Sequence, residues 1–353
     1  MNFAVCLLLI ASFLLAILGV GFIKRQFSQK LLDIPNDRSS HTQPTPRGGG
    51  LGFIIAFAVT GTIASVLANY FPQLLPSQLT TPNFGWLWLI LSPLAVIGII
   101  DDQRSVPAGW RYLVQLSTAG VAIAYFGSFP LPWLTPFGVV GQIIAVALTL
   151  IGMTALINFY NFMDGLDGLV AGVTALQLAF LASYLHQPLF WLLTAALLGF
   201  LWWNWSPAKI FMGDAGSTVL GASIAIALLN TNNNPIQAWS ALAVTLPLLG
   251  DALYTLIRRL MRGENIFKAH RSHLYQRLQQ AGWSQAQVAS TNIVATGIVI
   301  LLIINFGLIG SGLSAIGVVV GIAIGEKYLR SHRSLTRSSK IEPFPSAYSL
   351  SEK

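Results

Sequence analysis

Charge is what this chain has least of. Asp, Glu, Lys and Arg together make up 9% of its 353 residues, against about 25% in a typical soluble domain. So few charges cannot cover a water-exposed surface, which excludes an ordinary soluble globular protein. Cysteine is almost missing too. Cys6 is the single thiol, so no intrachain disulfide can form and no cysteine zinc cage can be built. No basic side chain precedes the first apolar run, and Lys24 and Arg25 follow it. That is the reverse of a cleavable signal peptide, and the run is expected to stay as a helix with its N-terminus outside. Internal repeats and interdomain linkers are also lacking.

What fills the chain is apolar: 54% of it is hydrophobic. These residues come in uncharged runs of about 20, the length a helix rising 1.5 Å per residue needs to cross a roughly 30 Å hydrocarbon layer. Eleven runs are read at 3–23, 48–68, 84–100, 111–127, 138–158, 165–183, 189–204, 216–230, 237–257, 291–309 and 311–327. They are continuously apolar rather than alternating, so helices and not barrel strands are expected. The expected fold class is an all-α polytopic integral membrane protein of about eleven transmembrane helices. A membrane domain over 1–328 is followed by a basic tail, 329–353, expected to lack order.

Counting along the runs places 24–47, 101–110, 159–164, 205–215, 258–290 and the tail on one side. With residues one turn inside helix ends allowed for, that side holds all 20 Lys and Arg, and the connectors 69–83, 128–137, 184–188 and 231–236 hold none. Basic residues are retained in the cytosol during insertion, so the long loops, the C-terminus and any site on them are expected to be cytosolic. The net charge of +8 suits anionic headgroups around Arg258, Arg259, Arg262 and Lys268. It does not suggest nucleic acid, because no soluble domain is present to dock a duplex.

The 12 acidic residues keep to the same side, which insertion does not demand of Asp and Glu. They cluster with amides at helix ends: Asp101-Asp102, the string from Asn158 through Asn161 and Asp164 to Asp167-Gly168, the string from Asn204 through Lys209 and Phe211 to Gly213-Asp214, and Gly250-Asp251. Asn158, Asn161 and Asp164 recur every three residues, which keeps them near one helix face. Each carboxylate alone could cap a helix, as Asp214 with Gly216 and Ser217 suggests. Capping does not explain five carboxylates meeting from separate helices. Their repulsion must be relieved by Lys209, Arg47, Arg38 or a bound divalent cation. Mg²⁺ takes a few carboxylate oxygens, keeps waters and completes its shell with substrate phosphates.

These strings resemble the polyprenyl-phosphate N-acetylhexosamine-1-phosphate transferases, glycosyltransferase family 4, whose members start bacterial O-antigen, teichoic acid and lipid-linked peptidoglycan synthesis. The resemblance is carried in order by Asp33-Ile-Pro-Asn36-Asp-Arg38-Ser-Ser-His41, Pro44-Thr-Pro-Arg47-Gly-Gly-Gly50, Asp101-Asp102, 158–168, 204–217 and the 270s. In motif detail the chain is most similar to the WbpL-like O-antigen initiating branch, with WecA-like and TagO-like members as neighbours. Family members that act on N-acetylglucosamine commonly end the last cytosolic loop in His-x-His-His, where this chain reads His273-Leu274-Tyr275-Gln276. That departure leaves N-acetylglucosamine and a deoxy-N-acetylhexosamine (N-acetylfucosamine or N-acetylquinovosamine) both open.

The resemblance implies transfer of a sugar 1-phosphate from a UDP-sugar to undecaprenyl or another polyprenyl phosphate, with release of UMP, in the bacterial cytoplasmic membrane. It implies Mg²⁺, with Mn²⁺ as the alternative ion, on Asp214 and Asp164, and a catalytic polar cradle of Asp164 and Asp167. Asp101 and Asp102 are placed at the attacking end, as base or as acceptor-positioning pair. Asn204, Lys209 and Phe211 would contact the nucleotide, Phe211 by stacking on uracil. Asn36, Arg38, His41, Arg47, Asn158, Asn161, His270, Arg271 and His273 would bind substrate, and Asp251 would pair with a basic group or line the cleft. A homodimer is left open. Two rivals stand beside this reading. A transporter or flippase would place ionisable groups near the midplane and show inverted repeats, and a scaffold would carry a degenerate site. The acidic strings here are intact and lie at helix ends.

Overall fold

The computed structural model describes residues 3–27, 31–35, 40, 41, 43–75, 79, 81–231, 234–266, 268 and 270–338. Asn36 and Arg38, read above as substrate contacts, and the end of the tail lie outside the described residues. Twelve α-helices are present among them: α1 Phe3–Phe27, α2 Gly50–Tyr70, α3 Thr81–Gln103, α4 Ala108–Phe126, α5 Gly138–Met163, α6 Leu169–Tyr184, α7 Leu189–Asn204, α8 Asp214–Leu229, α9 Pro235–Leu242, α10 Leu246–Met261, α11 Leu274–Gln280 and α12 Gln285–Ser338. The only strands described are β1 Leu32–Asp33 and β2 Thr45–Pro46, an antiparallel pair with Leu32 opposite Pro46 and Asp33 opposite Thr45.

Each apolar run becomes helix, so the chain is an all-α polytopic membrane protein. Among the described residues, six helical stretches are long and apolar enough to cross a membrane by themselves: Phe3–Phe27, Gly50–Tyr70, Phe84–Gln103, Pro132–Met163, Pro235–Met261 and Gln285–His332. The runs 291–309 and 311–327 fall in the one long helix α12, which Gly307 breaks with φ 54° and ψ −127°. Only glycine adopts that backbone without strain. The same helix continues to Ser338, into the stretch expected to be an orderless tail.

α6, α7 and α8 have 16 residues each, about 24 Å of helix, short of the full hydrocarbon layer. In α8 every residue after Asp214 is buried. A helix apolar on all sides belongs inside protein, and α8 is enclosed by α2, α3, α5 and α6. Its first turn is held tightly. A Cβ on Gly50 would lie 2.6 Å from Gly216 Cα, and a Cβ on Gly98 would collide with the backbone of Ala215. These contacts fix the N-terminus of α8 at the end of the bundle where the carboxylates gather.

Candidate active site

Three of the four acidic strings meet because they sit at the same end of neighbouring helices. α5 ends at Asp164, α8 begins at Asp214, and α3 ends just past Asp102. They border a cavity of about 270 Å³ lined by Asp33, His41, Arg47, Asn161, Asp164, Asp167, Asn204, Phe211 and Asp214, with Ser40, Gly165, Leu166, Met212, Gly213 and Gln285. Eight of the residues singled out from sequence therefore share one cavity.

The glycine string after Arg47 has a local reason. Phe211 N donates to Pro46 O at 2.8 Å, Gly49 N to Phe211 O at 2.9 Å and Gly50 N to Met212 O at 2.8 Å. This short ladder presses two chain segments together. A Cβ on Gly49 would come within 2.8 Å of the Phe200 ring. Arg47 and Phe211 are set side by side as a result, and His41 packs its ring edge on Phe211 at 4.8 Å between centroids.

Arg47 is the one lysine or arginine among the described residues of the cavity wall, against the carboxylates of Asp33, Asp164, Asp167 and Asp214. It binds Asp33 at 2.8 Å and approaches Asp102 at 3.8 Å. Burial acts to lower its pKa, but Asp33, Asp214 and Asp102 outweigh this and hold it above the ordinary arginine value. Asp164 is driven the other way. Desolvation first, then the charge of Asp214, pushes its carboxyl up to about 7. Burial likewise raises Asp167, although its carboxylate accepts the Ala208 N–H at 2.9 Å.

The ladder on α5 divides between two neighbours. Asn161 donates to Asp214 Oδ1 and to Ser217 Oγ, both at 2.9 Å. Asn158 pairs instead with Gln115 of α4, its Nδ2 donating to Oε1 at 2.7 Å. Each step of three residues turns the helix about 60° short of a full circle, so the first and last rungs face different helices. Asn158 lines a narrower cleft behind Asp214, together with Asp101 and Arg111.

The pair at the end of α3 is engaged and does not line the main cavity. Asp101 accepts Val106 N at 2.6 Å and Arg111 Nη1 at 2.9 Å. Asp102 accepts Asp214 N at 2.9 Å and Ala215 N at 3.5 Å. Asn204 is buried and bridges two loops, accepting Gly168 N and donating to Ile210 O, both at 3.1 Å. Lys209, expected at the nucleotide, holds its ammonium 5.7 Å over the Trp203 ring, outside the cavity wall.

The C-terminal group is also set apart. Asp251 is buried in α10, accepts Leu274 N at 2.8 Å and Tyr275 N at 2.9 Å, and lines no part of the cavity. His270 contacts Ser272 Oγ at 3.0 Å, and His273 is buried with its ring 4.9 Å from that of His270. Arg271 reaches the cavity rim by donating to Ser40 Oγ at 3.1 Å. Seven of the fifteen wall residues were not singled out as site residues from the sequence. Asp33 was legible as the charge that opens the Asp33-Ile34-Pro35 string, whereas Gln285, uncharged in a polar stretch, gave no signal.

The donor set fits a hard divalent cation. Asp164 and Asp214 offer carboxylate oxygens to one cavity, and the wall carries more negative than positive charge. Among the described residues no group of three or more His, Cys, Asp and Glu closes into a protein-only metal cage. That is compatible with Mg²⁺, which uses one or two carboxylates and draws its other ligands from water and phosphate.

Fold and cavity together define a multi-pass membrane protein with an acidic pocket at one end of its bundle. The profile of Glycosyl transferase family 4 matches residues 84–232. A probable undecaprenyl-phosphate N-acetylglucosaminyl 1-phosphate transferase of Bacillus subtilis is 32% identical over 290 residues, covering 77% of this chain and 76% of the relative. A decaprenyl-phosphate N-acetylglucosaminephosphotransferase of Mycobacterium tuberculosis is 30% identical over 75% of this chain and 73% of its own length. An undecaprenyl-phosphate alpha-N-acetylglucosaminyl 1-phosphate transferase of Escherichia coli K12 is 28% identical over 75% and 74%. The chain belongs to glycosyl transferase family 4.

Proposed function

We propose that this protein transfers N-acetylglucosamine 1-phosphate from its UDP-sugar to a polyprenyl phosphate in a Mg²⁺-dependent reaction at the cytosolic membrane face. The observation that carries the reading is the cavity itself, whose wall brings the carboxylates of Asp164 and Asp214 together with Arg47, while backbone hydrogen bonds pin 46–50 to 211–212 beside it. The names of the relatives supply the substrate class.

The chemistry follows from charge. A phosphate oxygen of the lipid attacks the sugar-bearing phosphorus, the bond to the UMP oxygen breaks, and its electron pair leaves with UMP. Both reactants are anions, so the site must neutralise charge as they approach. Mg²⁺ on Asp164 and Asp214 would supply that neutralisation. Arg47 faces the same space and offers the diphosphate a fixed guanidinium, while Asn161 orients Asp214 through its amide. The second pKa of a phosphate monoester is about 6, so the acceptor is largely deprotonated at neutral pH. Asp101 and Asp102 then serve by holding the ends of α3, α4 and α8 in register. Phe211 presents a ring to the uracil.

The sugar assignment rests on relatives named for N-acetylglucosamine. The deoxy-sugar alternative depends on Tyr275 and Gln276, and both are buried. The Tyr275 hydroxyl donates to Phe162 O at 3.1 Å, and neither residue lines the cavity. The positive-inside asymmetry supports a cytosolic site and C-terminus, with the N-terminus outside.

The test is UMP release by purified protein with polyprenyl phosphate, Mg²⁺ and a panel of UDP-N-acetylhexosamines. Release from UDP-N-acetylglucosamine at the highest kcat/KM is expected. No release from any member would overturn the activity, and preference for a deoxy sugar would overturn the sugar.

A further inference from the structure

Phe211 stands between two supports that come from distant parts of the chain. On one side is the Ser40–His41 segment, whose imidazole edge meets the Phe211 ring at 4.8 Å. On the other is the turn leading into Phe211, whose Ala208 N–H is held by the Asp167 carboxylate at 2.9 Å. Neither support is fixed by regular secondary structure. Both are tied to the same side chain. Gln285 Oε1 accepts Asp167 N at 2.8 Å, and Gln285 Nε2 donates to Ser40 O at 3.1 Å.

From these contacts we infer that Gln285 is a positioning residue for the nucleotide end of the donor, holding the His41 and Asp167 walls at the spacing that admits a nucleobase beside Phe211. The inference rests on the transferase reading above and adds to it a residue that carries no charge and touches neither phosphate nor metal.

The place of Gln285 in the fold makes it a suitable anchor. It is the first residue of α12, and the residue before it fixes that end of the helix. Ser284 N donates to Gln287 Oε1 at 2.8 Å, and Gln287 N donates to Ser284 Oγ at 3.1 Å, a reciprocal cap. The side chain therefore projects from a rigid helix start, where a loop-borne glutamine would have to be ordered at the moment of binding. Each of its two bonds also satisfies a main-chain group on a cavity wall, and a main-chain group left without a partner rearranges its loop. Arg271 adds a second tie to the same wall, donating to Ser40 Oγ at 3.1 Å.

The consequence is selective. Loosening the two walls weakens capture of the uridine nucleotide and leaves the reacting phosphorus, Asp164, Asp214 and the lipid acceptor as they were. Gln285→Met keeps the length and volume of the side chain and removes both hydrogen bonds. In the full chain, the expected result is a rise of about tenfold in KM for the UDP-sugar and in the Kd for UMP, equivalent to about 1.4 kcal/mol. The kcat and the KM for polyprenyl phosphate should stay within about twofold. In a Phe211→Leu background the same substitution should add little, because the slot it maintains is already lost.

An unchanged KM and UMP affinity in Gln285→Met would overturn the inference, as would a fall in kcat without a change in KM, or full additivity with Phe211→Leu. Where the methionine variant does not assemble, Gln285→Glu retains the acceptor for Asp167 N–H and is held to the same split between KM and kcat. Wild-type protein that releases UMP from none of the UDP-sugars fails the transferase reading. Active wild type with an unaltered Gln285 variant fails this inference alone.

Discussion

Asp102 accepts the backbone N–H of Asp214 at 2.9 Å and that of Ala215 at 3.5 Å, so a carboxylate at the end of α3 caps the first turn of α8 from outside. Helix N-termini carry unsatisfied N–H groups and a partial positive charge, and an anion there is stabilising. The carboxylate is nearly fully buried, with a side-chain exposure of 3%, and Gly213 gives it room, since a Cβ there would collide with Asp102 Oδ2. Asp102 thus sets where the Asp214 carboxylate begins. Asp102→Ala should lower stability by about 1–3 kcal/mol through orphaned N–H groups and weaken Mg²⁺ binding at the same time. Asp102→Asn, which keeps one acceptor oxygen, should lose less of both. Thermal unfolding with and without Mg²⁺ measures the two effects together, and a stable alanine variant with wild-type metal affinity would refute the capping role.

Asp214 itself should behave differently. Its side chain faces the cavity and receives the Asn161 amide at 2.9 Å, so Asp214→Asn keeps the shape of the site and removes the charge. Turnover is expected to fall by at least about 100-fold, the scale seen when one charge-stabilising group is removed from an active site. The melting temperature in detergent should not drop. An asparagine variant with full activity at ordinary Mg²⁺ would show that the ion, if needed, is held elsewhere.

Acidity separates Asp164 from an ordinary carboxylate. Its pKa in the folded chain is about 7 against a usual 3.8, from desolvation and then from Asp214. Between those values the folded protein holds a proton that the unfolded chain has released, so this group's contribution makes the metal-free protein less stable as pH rises through the window. A cation ligand must be ionised, so Mg²⁺ binding should release a proton below about pH 7 and its affinity should climb with pH up to that point and then level. Calorimetry in two buffers of different ionisation enthalpy reads the released proton directly. Equal heats at pH 6 would mean that Asp164 is already ionised or does not bind the ion.

The fold was the more legible part of this chain, and the reason is the solvent. Lipid demands long uncharged helices, so the eleven apolar runs stand out in the sequence and become helix in the structure. Helix length is what the runs concealed. α6, α7 and α8 form helices of only 16 residues each, and α8 is buried from Ala215 to Leu229. The site was legible where charge marked it: Asp164, Asp167, Asp214 and Arg47 line one cavity. Direction was not legible. Sequence spacing could not tell that Lys209 turns to Trp203 or that Asn158 pairs across to Gln115. Nor could it find Gln285, whose position depends on contacts across 118 and 245 residues of chain.

Asp251 is a buried carboxylate with both main-chain and side-chain partners, and His273 Nδ1 lies 3.7 Å from its Oδ1. One oxygen accepts Leu274 N and the Thr255 hydroxyl, and the other accepts Tyr275 N. It docks the seven-residue helix α11, too short to be stable by itself, onto α10. Asp251→Ala should cost on the order of 3 kcal/mol, since several buried donors lose their acceptor together, and should speed proteolysis between 262 and 273. Asp251→Asn should recover about half. Unaltered cleavage in the alanine variant would place the anchor of α11 elsewhere, with the Arg277–Glu326 ion pair the next support to examine.

The tight seat of α8 gives a test of packing against chemistry. A Cβ on Gly98 would strike the Ala215 backbone, not the end of a flexible side chain, so neither helix can yield locally. α8 is buried over its whole length, and close-packed interiors pass such a displacement on. Gly98→Ala adds one methyl group, removes no polar atom and lies outside the wall of the main cavity, although Gly98 borders the narrower cleft behind Asp214. Its helix propensity would by itself stabilise α3 by about 1 kcal/mol, and overpacking should reverse that with a net loss of about 1–3 kcal/mol. Because the displaced turn carries Asp214, kcat should fall with it, while the KM for the UDP-sugar should change little, Phe211 and His41 being held through other segments. Gly120→Ala is the matched control, since a Cβ there meets nothing within 4 Å and should leave stability equal or improved. If Gly98→Ala were as stable and active as that control, α3 and α8 would have to be farther apart than this packing places them.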